Sequence, residues 1–139
     1  MSAKLASAKV ATNDFAETFR CLRAILARHA VKLAIVHDTP DYFYLDTVSP
    51  SNQGKPMFFG AVRIMKNYVS FHLMPLYVCS EMNKRVSKKL SGRRQGKACF
   101  NFKSPDEVLF KELEQLVDAG FERYRKEQFL ERFSALRVT

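Results

Sequence analysis

Met57-Phe58-Phe59-Gly60-Ala61-Val62-Arg63-Ile64-Met65-Lys66-Asn67-Tyr68-Val69-Ser70-Phe71-His72-Leu73-Met74 reads as two strands joined by a tight turn. Met57 to Met65 is apolar on both faces apart from Arg63, the pattern of a central strand. Lys66-Asn67 supplies the turn, because Asn tolerates the positive φ that two-residue hairpins need. Tyr68 to Met74 then alternates, with Val69, Phe71 and Leu73 on one face and Tyr68, Ser70, His72 and Met74 on the other. Pro75 ends the run.

Upstream, Leu33 to His37 reads as a short strand and Asp38-Thr39-Pro40-Asp41 as a turn. Tyr42 to Thr47 is a second, aromatic-rich strand, and Val48 to Pro56 is a loop. Phe15, Phe19, Leu22 and Leu26 recur at helical spacing behind Asp14 and Glu17, which predicts an amphipathic helix to about His29 capped by those acids. Met1 to Thr12 is small and polar and is expected to be flexible.

Downstream, Ser80 is read as the cap of a short helix carrying Met82, Val86 and Leu90, closed by Ser91-Gly92. Ala98 to Phe102 is a last strand. Ser104-Pro105-Asp106-Glu107 opens a long helix with Ser at the N-cap and Pro at the first position. Its stripe is Leu109, Phe110, Leu113, Leu116, Val117, Phe121 and Tyr124, with Gly120 expected to allow close approach to the sheet. Carried on to Leu136, the helix would be about 45 Å long, more than a compact domain of this size accommodates. Phe129, Leu130, Phe133 and Leu136 fall on the opposite side of it. The segment 127–139 is therefore expected either to fold back or to pack on a second copy in a homodimer, the latter favoured. The order helix, strands, short helix, strand, helix predicts one α+β domain over 1–139: an antiparallel or mixed sheet of about five strands with the terminal helices on one face.

The charge is concentrated. The chain has 23 Lys and Arg against 14 Asp and Glu, a net +9. Between Thr47 and Pro105 stand eleven basic residues and one acid, Glu81, leaving twelve basic and thirteen acidic residues elsewhere. The densest part is Lys84, Arg85, Lys88, Lys89, Arg93, Arg94 and Lys97. Such a cluster attracts anions, phosphate among them, and it is the candidate anion-binding site.

Other chemistry is largely absent. No phosphate loop, dinucleotide fingerprint or hydrolase elbow occurs, and neither C-x-x-C nor H-x-x-x-H supplies zinc ligands. Ser70, His72 and Asp38 lack an oxyanion hole and the right disposition for a triad, so no catalytic residue, metal or cofactor is assigned. Cys79 is read as a buried structural thiol, and Cys99 as sharing the other sheet face with Asn101. Tyr42, Phe43, Tyr44, Phe58, Phe59 and Phe71 could form a stacking platform for bases, but core packing accounts for them more simply. Three scattered cysteines and no apolar run of about 18 residues fit a cytoplasmic protein without a membrane span.

Gly54-Lys55-Pro56-Met57-Phe58-Phe59, Lys66-Asn67-Tyr68-Val69-Ser70-Phe71-His72 and Gly96-Lys97-Ala98-Cys99-Phe100-Asn101-Phe102, followed by Pro105-Asp106-Glu107, resemble the YdhG-like family of small bacterial domains of unknown function. The resemblance covers about half the chain and implies a frataxin-like α+β fold. For some members it also implies iron binding in iron–sulfur assembly. The MmcQ/YjbR-like proteins share a similar outline. Hard cations need clustered carboxylates, whereas the first helix sets Asp14 and Glu17 against Arg20, Arg23 and Arg28. The expected function is thus a non-enzymatic binding module whose basic loop and short helix meet an acidic protein or anionic ligand. A frataxin-type iron protein and a non-specific nucleic-acid phosphate binder are the alternatives.

Overall fold

The Lys66-Asn67 hairpin anchors the sheet. β3 (Phe58–Ile64) and β4 (Val69–Leu73) pair antiparallel from Ile64↔Val69 to Gly60↔Leu73, and the turn is closed by Met65 N–H donating to Tyr68 O at 2.7 Å. The computed structural model describes the backbone of residues 3–48 and 56–126, with side chains from Asp14 onward within those ranges. Before the hairpin come α1 (Ala3–Ala27), β1 (Leu33–Thr39) and β2 (Tyr42–Thr47). After it come α2 (Pro75–Val78), a 3-10 segment (Ser80–Arg85), α3 (Lys88–Ser91), β5 (Cys99–Phe102) and α4 (Glu107–Lys126). The five strands form an antiparallel meander in the order β1-β2-β3-β4-β5, with β3 at its centre. The fold class and the arrangement of elements follow the sequence expectation.

Alternation along the strands decides what each face touches. Phe43, Leu45, Phe59, Val62, Val69, Phe71, Leu73, Phe100 and Phe102 are buried beneath α1 and α4. From α4 come Leu109, Phe110, Leu113, Leu116, Val117, Phe121 and Tyr124, and from α1 Phe19, Leu22, Ile25 and Leu26. Gly60 admits α1 to the centre of the sheet, since a Cβ there would stand 3.0 Å from both the Leu26 side chain and the His72 carbonyl. Where the end of α1 crosses α4, the Arg28 guanidinium grips both Asp118 oxygens at 2.7 and 2.8 Å. His29 Nε2 lies 2.8 Å from the same carboxylate, and its ring stacks on Phe121 at 4.4 Å. Burial pushes the Asp118 carboxyl up, but the hydrogen bonds from Arg28 and His29 and the Arg28 charge outweigh it and hold the group below its usual range.

Several local expectations are corrected. α1 begins at Ala3, so Asp14 and Glu17 lie within the helix and do not cap it. Asp106 caps α4 in place of Ser104, its Oδ1 accepting from Leu109 N–H at 3.1 Å. The single helix expected between Ser80 and Ser91 is two pieces, because Val86 is extended (φ −77°, ψ 124°) and Ser87 caps the second. Gly120 faces the Pro75 ring of α2 and not the sheet, at 2.8 Å from a notional Cβ. The loop residues 49–55 lie outside the described residues. So does the segment 127–139, with Phe129, Leu130, Phe133 and Leu136 and the expected dimer contact. Among the described residues no helix is long and apolar enough to cross a membrane.

Candidate functional site

The basic segment is fixed to the core at two points. Leu90 is fully buried, and Ser87 binds Glu112 of α4 twice, through its N–H and its hydroxyl, both at 2.7 Å. The same Ser87 oxygen accepts from Leu90 N–H at 3.0 Å, so one acid on α4 sets the start of α3. From there the chain turns along β5: Gln95 N–H donates to Cys99 O at 2.8 Å and Asn101 N–H to Arg93 O at 2.9 Å. The segment therefore covers the free edge of β5.

The seven cations do not act as one set. Arg94 is half-buried, bonded to Asn83 Oδ1 and lying 5.5 Å from the centre of the Phe100 ring. Arg85 is exposed but lies beside α4, where it lines a groove with Asp118, Glu122, Arg123 and Lys126. Lys84, Lys88, Lys89, Arg93 and Lys97 remain exposed, and none has a carboxylate within 4.0 Å among the described residues. Asn83 reinforces the segment by donating to Leu76 O at 2.7 Å and Ser80 O at 3.0 Å.

The sheet face away from the helices carries a second set of residues. The six aromatic residues weighed as a platform divide by strand alternation. Phe43, Phe59 and Phe71 are core, while Tyr42, Tyr44 and Phe58 face outward. Tyr44 stacks on Phe58 at 4.7 Å, and Tyr42 is held between His37 at 4.7 Å and the Arg63 guanidinium at 4.5 Å. With Ala61, His72 and Cys99 they surround an open cavity of about 500 Å³. This cavity was not legible in the sequence, although period-two alternation over Tyr42 to Tyr44 was the signal that separates its aromatics from the core.

His72 Nδ1 lies 4.0 Å from Cys99 Sγ, whose other neighbour is Asn101 Oδ1 at 3.8 Å. Burial pushes the Cys99 thiol up and the His72 imidazole down. Both shifts favour the neutral pair, so the arrangement does not activate a nucleophile. Ser70 Oγ donates to Arg63 O at 3.5 Å. Asp38 is on the helix side, bound by Arg23 at 3.0 and 3.1 Å, so Ser70, His72 and Asp38 are not brought together. Cys79, the residue that ends α2, is buried, and all three cysteines are free. Among the described residues no three His, Cys, Asp or Glu are grouped to hold a metal ion.

The chain matches no family model, no curated protein and no solved structure.

Proposed function

We propose that this protein is a binding module that meets an acidic protein or anionic ligand through Lys84, Lys88, Lys89, Arg93 and Lys97. One observation carries the reading. Five exposed cations sit on a segment anchored by Leu90 and by the Ser87–Glu112 pair, with no carboxylate partner among the described residues. Anchoring matters because a preorganised array loses less conformational freedom on binding than a mobile tail does. The iron-binding alternative has weaker support, since Glu17 of α1 is already engaged by Arg20.

The test is a quadruple variant, Lys84, Lys88, Lys89 and Lys97 to Ser, applied to heparin and phosphocellulose. Retention should be lost while the denaturation midpoint barely moves, as expected of exposed charges. Unchanged retention would defeat the proposal. A salt series with duplex and single-stranded oligonucleotides separates nucleic acid from an acidic protein, because the slope reports phosphate contacts.

A further inference from the structure

We propose that the cavity on the sheet face away from the helices binds a small planar aromatic molecule bearing an anionic group, with Tyr44 and Phe58 as its wall and Arg63 as its anion contact. The inference does not rest on the basic segment.

The hollow follows from register. Ala61, on the central strand, stands opposite Tyr44 on one side and His72 on the other. A methyl between two rings leaves a slot, and Phe58, 4.7 Å from Tyr44 and 6.4 Å from His72, closes one end. Two residues along the same face of β3, about 7 Å away by strand geometry, Arg63 stands between Tyr42 and Ser70. The volume of about 500 Å³ falls within the range of small-molecule sites, which pair apolar walls with a few placed polar groups.

Charge selects the occupant. Among the described residues that line the cavity, Arg63 is the one arginine or lysine and none is Asp or Glu; Asp46, beside Tyr44 on the same face of β2, lies outside that lining. Burial holds His72 below its ordinary value of 6.5, so the ring is neutral near pH 7. Arg63 has no ion-pair partner among the described residues; it lies on Tyr42, which fixes its plane without neutralising it. A guanidinium held in this way offers a fork to a carboxylate or phosphate. An aromatic ring then fits the slot over Ala61, where Tyr44 and Phe58 favour offset or edge contacts.

Calorimetric titration with 2-naphthoate, neutral 2-naphthamide, adenosine 5′-monophosphate and a single-stranded oligothymidylate tests the proposal. Saturable one-to-one binding of 2-naphthoate or the nucleotide is expected, the preferred one identifying carboxylate or phosphate as the anion. The amide should bind at least about tenfold more weakly than naphthoate. Arg63→Met should erase that preference while leaving amide affinity unchanged. Ala61→Phe, at a position outside the helix-covered core, should abolish binding with the far-ultraviolet circular dichroism intact. If Ala61→Phe disturbs the fold, the Arg63→Met comparison decides alone. No saturable binding of naphthoate or nucleotide at millimolar concentration would overturn the proposal. So would naphthoate that binds saturably but no more tightly than the amide, or tight oligothymidylate binding that Ala61→Phe removes while the small molecules fail to bind.

Discussion

The Tyr124 hydroxyl donates a hydrogen bond of 2.8 Å to the Phe58 carbonyl, tying the last turn of α4 to the first residue of β3. The backbone that α4 holds in this way carries, on its other side, the ring that closes the cavity. Tyr124 is fully buried, and burial, with the Asp46 charge adding to it, raises its hydroxyl well above the ordinary 10.0.

Tyr124→Phe should therefore cost about 1 kcal/mol at pH 7, the usual net worth of a buried neutral hydrogen bond. The pH dependence has a definite sign. A raised folded-state pKa gives stability that is fully present below the unfolded value of about 10 and is lost as pH rises toward the folded value. The advantage of the wild type over the variant should shrink above pH 10 by about 1.4 kcal/mol per pH unit. Urea titrations of both proteins from pH 7 to 11 measure it, and a constant gap would refute the buried, protonated hydroxyl.

Gly120 gives the second prediction. Alanine is the better helix former by roughly 1 kcal/mol, yet its Cβ would stand 2.8 and 2.9 Å from the Pro75 ring carbons. Overpacking costs about 1–3 kcal/mol, so Gly120→Ala should destabilise. Pro75→Ala in the same chain should recover part of the loss, the positive coupling that contacting residues show in a double-mutant cycle. Simple additivity of the two changes would mean that the helix shifts freely at this crossing.

Much of this architecture could be read from local pattern. The β3–β4 hairpin and β2 emerged nearly to the residue because alternation, turn chemistry and burial agree there. The α4 stripe emerged because its 3.6-residue period is unbroken from Leu109 to Tyr124. What escaped depends on contacts distant in sequence. Ser87, not Ser80, starts α3 because Glu112, 25 positions away, holds it. Asp106 displaces Ser104 as the α4 cap, although both residues suit the role. The cavity is a product of register: nothing in Ala61 itself says that Tyr44 and His72 will flank it. Likewise, a run of seven cations gives no sign that Arg94 will fold back on Phe100 while Lys88 and Lys89 stay in solvent.

That division of the basic segment makes the last prediction. Arg94 bonds Asn83, which in turn holds the Leu76 and Ser80 carbonyls, and it covers Phe100. Arg94→Ala should lower stability by about 1–2 kcal/mol through lost packing and hydrogen bonding. Replacing Lys88 and Lys89 together by Ser should move it by no more than about 0.5 kcal/mol per site, as is usual for exposed positions. Retention on heparin should rank the other way, with the lysine pair costing more than the arginine. Denaturation midpoints and elution salt, measured on the same three proteins, give both orders. An Arg94→Ala variant that keeps its midpoint and loses as much retention as the lysine pair would show that Arg94 is a free surface cation, and the two roles assigned to this segment would collapse into one.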